Sequence, residues 1–189
     1  NNDSAYETAI SLYQKGINIE AIIDNREEID SKLIKEAEKN NIKIYKGFTV
    51  VNTFGYKRIN KISIMQLSKD GQKVVGSKIS IACDCLGISG GWTPAVHLFT
   101  QSGGKLKFRD EDQVFIPDIY PSDQISIGSC NGDFTLDEII SSIPNKLKEF
   151  LNIKKTDYEN LEIYSSFNKS KRNIWLLPSD KVIGKTKPF

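Results

Sequence analysis

Histidine is nearly missing from this chain. One residue, His97, stands among 189, beside three cysteines (Cys83, Cys85 and Cys130). Structural zinc sites draw four ligands from Cys, His and carboxylates, so no zinc framework is spelled out. Nor do three cysteines make the even, spaced set of a secreted disulfide scaffold, and no C-x-x-C is present as a poised redox pair. No apolar run approaches the ~20 residues that span a bilayer, and no signal peptide is visible. Lysine and arginine form no block and the net charge is +2, which leaves no electrostatic footprint for nucleic acid. The G-x-G-x-x-G phosphate fingerprint is absent as well. These absences describe a reduced, cytoplasmic protein with no metal, membrane or nucleic-acid partner.

What is present suits one domain, or one domain with an appendage, with enough apolar residues for a packed core. The chain starts at "NNDSAYE" without an initiator Met and stops at "GKTKPF", which reads as a piece of something longer. Ser4 and Glu7 have the S-x-x-E spacing of a capping box; Ala5, Ala9, Leu12 and Tyr13 follow at helical spacing, with Gly16 as the stop. "INIEAIID" is an isoleucine-rich strand closing on Asp24. A second helix is expected from Ile29 to Asn40 with Leu33, Ile34 and Ala37 inward, then a strand at "IKIYKG". Helix–strand–helix–strand alternation predicts a parallel sheet with crossover helices, incomplete because no strand precedes the first helix.

After Phe48 the period changes to two. Three antiparallel strands are expected, with turns at Gly55 and Asp70-Gly71. A buried strand at Asp84–Ser89 follows, placing Cys83 and Cys85 on one strand face, read as buried small hydrophobes with a redox or metal pair as the alternative. Short strands are expected near Lys105–Phe108 and Val114–Ile116, and another in "QISIGSCNG". Thr135 and Glu138 form a second capping box, opening a helix to about Ser142 that Pro144 breaks. The charged stretch 145–160 and an aromatic tail with Tyr164, Phe167 and Trp175 read as a linker packed on something else.

Within this order one segment is compositionally unusual: "CDCLGISGGWTPAVHLFTQSGGK", Cys83 to Lys105. A plain turn, a ligand-facing loop and a docking surface compete to explain it. Together with "NNDSAY", "IPD…IGSCNG" and "GKTKPF", it makes the chain resemble the pyridine nucleotide–disulfide oxidoreductase superfamily. More narrowly, it resembles the alpha subunits of heterotetrameric sarcosine oxidases. Alpha subunits of related amine or proline dehydrogenases share much of the pattern.

The resemblance implies an α/β, Rossmann-like parallel sheet with helices and an inserted three-stranded antiparallel meander. Residues 1–100 would be the nucleotide-binding-like unit, 101–150 the return segment of the main dinucleotide domain, and 151–189 a linker towards a folate-binding module. It implies a flavin enzyme that oxidatively demethylates sarcosine with oxygen and tetrahydrofolate. FAD and FMN would lie in the complex, NAD on this subunit, with beta, gamma and delta subunits as partners. No catalytic residue is expected in this stretch.

The expected cofactor contacts are Asp24 and the loop Gly128, Ser129, Cys130, Asn131 and Gly132. Asp24 ends a strand where an acid accepts from a ribose, with a solvated turn acid as the plain alternative and Arg26 as a salt-bridge or phosphate partner. Ser129 stands where flavin reductases of the superfamily carry an Asp, which favours NAD over a flavin; the two glycines permit close backbone approach. Asp3 would set a carboxylate where the pyrophosphate belongs, so the cofactor site is expected to be lost or weakened. The Gly90–Gly91–Trp92 loop is read first as an interdomain joint with Trp92 buried in it. Contact with NAD or an adjacent subunit is the rival, and His97 reads as structural. A self-sufficient reductase domain and a ligand-free interaction module are the competing functions.

Overall fold

The computed structural model describes residues 1–27, 32–121, 123–152 and 177–178. The chain divides into two compact units, the first running Asn1–Gly91 and the second beginning at Trp92. The tail aromatics Tyr164, Phe167 and Trp175 lie outside the described residues, as does most of the 151–189 linker.

The first unit is mixed α/β. Helix α1 (Ser4–Gln14) leads to strand β1 (Ile22–Asp24), helix α2 (Lys32–Lys39) and strand β2 (Ile44–Lys46). β1 and β2 pair in parallel, Ile22 opposite Ile44 and Asp24 opposite Lys46, as the alternation of elements predicts. Tyr6, Ala9 and Ile10 of α1 pack with Ile22, with Ile34 and Ala37 of α2, and with Ile42 into one apolar cluster. The buried face of α1 is therefore set by Tyr6 and Ile10, whereas Leu12 and Tyr13 are exposed at its far end. Gly16, at φ +83°, ends α1 by donating its N–H to the Tyr13 carbonyl.

The expected capping box of α1 does not form. Ser4 is the first helical residue and Asp3 holds the cap position without a side-chain capping bond. Asn2 substitutes for it: its Oδ1 accepts the Ser4 N–H at 3.0 Å.

β2 turns through Gly47 into a meander of β3 (Phe48–Gly55), β4 (Ile59–Leu67) and β5 (Val74–Ala82), in that spatial order and antiparallel throughout. Gly47 ties the two sheets together, donating to the Arg26 carbonyl and accepting from the Leu67 N–H. Ile62, Ile64 and Leu67 of the central strand are buried.

Between Ala82 and His97 no strand forms. Residues 83–96 are irregular, so the expected strand at Asp84–Ser89 is corrected: among the described residues it has no partner to accept a ladder. Cys83 is half-buried and Cys85 exposed, which corrects their reading as buried hydrophobes.

In the second unit a short helix α3 (His97–Gln101) precedes the hairpin of β6 (Lys105–Arg109) and β7 (Val114–Ile119), close to the expected strands. His97 is an exposed residue at the start of α3. Phe99 is buried and its ring fills the space a Cβ on Gly104 would take, 2.4 Å away. Trp92 is 56% exposed, so the expected burial of its side chain does not occur.

Gln124–Ile127 is not a strand; Gly128–Asn131 forms a 3₁₀ turn leading to helix α4 (Leu136–Leu151). The Thr135–Glu138 capping box is present. Pro144 does not break the helix, which continues to Leu151. A proline removes one N–H and crowds the preceding turn, yet the apolar spacing Ile139, Ile140, Ile143 and Leu147 persists through it. No helix among the described residues is long and apolar enough to cross a membrane.

Candidate functional site

The C-terminal end of a parallel strand and the start of the neighbouring helix are where α/β sheets offer ligands a crevice. In the first unit that corner holds Asp24, Arg26, Asp3 and Tyr6. Asp24 is 1% exposed, not a solvated turn acid. Its carboxylate accepts the Arg26 backbone N–H at 3.0 Å, the guanidinium Nε at 3.1 Å and Nη2 at 2.8 Å. Arg26 reaches on with Nη1 to Asp3 Oδ1 at 2.9 Å, both side chains being nearly buried.

Two carboxylates thus share one guanidinium inside the unit. Burial alone would push Asp24 up, but the hydrogen bonds and charge of Arg26 outweigh it and hold the carboxyl below its usual range. For Arg26, burial opposes the charged form, and the two carboxylates more than restore it. Burial, and then the Asp24 carboxylate, push the Tyr6 phenol well above its ordinary value. The Tyr6 hydroxyl has no well-formed hydrogen bond among the described residues.

A further polar knot lies at the α1 start. Asn2 Oδ1 accepts the Ser4 hydroxyl at 2.7 Å and the Ser89 hydroxyl at 2.8 Å, while Asn1 Nδ2 donates to the Gly90 carbonyl at 2.7 Å. These bonds fasten the loop after β5 to the helix start. Nothing in the spacing of Asn2 and Ser89, 87 residues apart, could have revealed them.

This corner does not fit a dinucleotide pyrophosphate as it stands. The Ser4 amide is already capped by Asn2, the Asp3 carboxylate sits at the helix end, and the triad carries an excess negative charge. A phosphate needs free amides and a positive field there.

The second expected group lies in the other unit. Gly128 (φ +78°) and Gly132 (φ +82°) both take the left-handed conformation that glycine tolerates. The space at Gly132 is filled by the protein: a Cβ would lie 2.8 Å from Arg109 Nη2 and 2.9 Å from Ile116. Arg109 donates to the Gly132 carbonyl at 2.8 Å and pairs with Asp112. The Cys130 thiol donates to the Ile127 carbonyl, Asn131 accepts from Tyr120, and Ser129 is exposed. At the α4 start the capping box and the acids Asp137 and Glu138 take the amides and field that a phosphate would use. Close packing accounts for Gly132 and the left-handed φ for Gly128, whose nearest neighbour Ile139 lies at an ordinary 3.6 Å, and this turn does not fit a phosphate either. Asp24 and the Gly128–Gly132 turn belong to separate units. Sequence reasoning missed Arg109, whose separation from Gly132 carries no motif.

No family model matches the chain. Two curated relatives do. The chain is 29% identical over 143 residues to the sarcosine oxidase subunit alpha of Corynebacterium sp. (strain P-1), covering 75% of this chain and 14% of the relative. The similarity is to a sarcosine oxidase alpha subunit. The same subunit of strain U-96 is also 29% identical, over 131 residues, 69% of this chain and 13% of the relative. The chain thus spans about a seventh of the sarcosine oxidase alpha subunits it matches. Among solved structures, a thioredoxin reductase from T. acidophilum aligns with a TM-score of 0.47 at 20% identity, over 68% of this chain and 45% of that one.

Proposed function

We propose that this chain is a framing region of a sarcosine oxidase-type alpha subunit, supporting an oxidoreductase assembly whose bond-breaking chemistry proceeds elsewhere. The buried Asp3–Arg26–Asp24 triad carries the reading: the protein's own charges occupy the strand end and helix end that a bound dinucleotide would need. The similarity to sarcosine oxidase alpha subunits supplies the context.

On this reading the assembly is a cytoplasmic flavoprotein with beta, gamma and delta subunits. It uses FAD and FMN, demethylates sarcosine with oxygen, and passes the carbon to tetrahydrofolate. Residues 1–100 are its nucleotide-type unit, 101–150 the return segment of the main dinucleotide domain and 151–189 a linker.

The test is flavin reduction in the complete assembly, followed by absorbance on anaerobic addition of sarcosine. Bleaching by sarcosine is expected. Bleaching by proline or another secondary amine instead would reassign the chain to a related dehydrogenase.

A second reading keeps NAD on this chain, contacted by Asp24 and by Gly128, Ser129, Cys130, Asn131 and Gly132. The strand-end position of Asp24 and the exposed Ser129 between two left-handed glycines favour it. It requires Asp24 to release Arg26. Calorimetric titration with NAD separates the readings, since saturable binding weakened by Asp24→Asn supports the second.

A further inference from the structure

Charge is segregated along this chain in a way the framing role does not use. Residues 48–82, the whole meander, hold six cations (Lys57, Arg58, Lys61, Lys69, Lys73, Lys78) and one acid, Asp70. The whole chain carries only +2, so the remainder is net acidic. The excess is densest at the β3–β4 tip, Phe54 to Lys61, where three cations and two aromatics fall within eight residues without an acid.

The tip is built and held, not merely charged. Gly55, at φ +143°, brings the chain so close that a Cβ there would lie 1.9 Å from the Arg58 carbonyl oxygen. Lys61 Nζ stacks over the Phe54 ring, 4.5 Å from its centroid, at the base of the turn. Beyond them Tyr56 is 98% exposed. Among the described residues neither Lys57 nor Arg58 enters an ion pair. The close approach at Gly55 holds the turn's backbone, so the ordering cost of binding falls on the exposed side chains and not on the loop. Tyrosine and arginine are also among the residues that dominate binding energy at protein interfaces.

We propose that the Phe54–Lys61 tip is a docking finger for an acidic surface on a partner protein subunit. This rests on the sarcosine oxidase-type reading for one point alone, that the chain works as a subunit beside other chains. A protein partner is favoured over nucleic acid because the cations are few and the tip offers a single fully exposed ring, not a platform of stacking aromatics. Tyr56 would fill a shallow pocket while Lys57 and Arg58 meet carboxylates, so association should be fast at low salt and slow as salt screens the pairing.

The experiment reconstitutes the assembly from the full-length chain and its separately purified partner subunits. It compares wild type with Lys57→Glu/Arg58→Glu and with Tyr56→Ala by surface plasmon resonance at two salt concentrations. The proposal expects at least a tenfold loss of affinity in the double reversal, a smaller loss in Tyr56→Ala, and a wild-type association rate that falls with salt. Unchanged far-ultraviolet dichroism and melting temperature would show that the variants fold. Affinity equal to wild type in both folded variants overturns the proposal. So does a tip whose binding is to single-stranded RNA in a parallel titration and not to the partner subunits. Loss of docking by the variants, where the wild-type assembly forms but does not oxidise sarcosine, would uphold the finger and reject the sarcosine reading. Normal docking by the variants in an active assembly would do the reverse.

Discussion

Arg26 is the residue on which the first unit turns. Its guanidinium pairs with two buried carboxylates, so Arg26→Met leaves Asp3 and Asp24 buried without a countercharge. Breaking a buried pair by removing one partner costs about 3–5 kcal/mol. Urea unfolding should show a loss of that size, and a loss under ~1 kcal/mol would mean that the triad is not closed in solution. Asp24 adds a pH signature. Its folded-state pKa is depressed, so its contribution is present above the unfolded value of ~3.9 and is lost as pH falls through the lower folded value. Asp24→Asn should flatten the acid limb of the stability curve while leaving its slope above pH 6 unchanged. An acid limb of wild-type steepness in the variant would place the titrating group elsewhere. The position of Asp24 was legible in the sequence, because a lone acid closing an apolar run marks a strand end. Its burial was not, since nothing in a one-dimensional pattern says that Asp3 and Arg26 converge on one point.

Among the elements, those with a strong period or a paired signal were legible. The parallel β1–β2 pair, the meander and the Thr135–Glu138 box stand where their spacing puts them. The box should be worth about 1 kcal/mol, so Thr135→Ala should lower stability by that amount and expose the first-turn amides of α4 to faster hydrogen exchange. Normal protection in the variant would show that the cap does not hold the helix end. Elements that depend on a neighbour were not legible. Asp84–Ser89 and Gln124–Ile127 have strand-like composition, but a strand exists only with a ladder partner, and the described residues supply none. The Ser4 box failed for a related reason, because Asn2 reached the first amide and Ser89 together. The Gly128–Gly132 turn carries its own test. At Gly132, alanine meets both a left-handed φ and Arg109 at 2.8 Å, so Gly132→Ala should cost more than ~1 kcal/mol by thermal unfolding. If instead the variant is as stable as wild type and loses NAD binding, the glycine serves a ligand and not packing.

For the whole molecule, the likeness to sarcosine oxidase alpha subunits and the closed corner of the first unit support one account. On the proposed reading the α/β unit serves as a frame whose strand end is closed by its own ion triad, and its basic meander would meet a partner subunit. The α/β class and the meander could be read from alternation and period alone. The sealing could not, because it depends on where three charged side chains meet. The measurement that bears most directly on this account is calorimetric titration of the full-length protein with NAD, wild type beside Asp24→Asn. The account predicts that any NAD binding has the same dissociation constant in both, because the Asp24 corner is closed to the ligand. Saturable binding to wild type that weakens tenfold or more in the folded variant would contradict it, and would make Asp24 a ribose-binding residue.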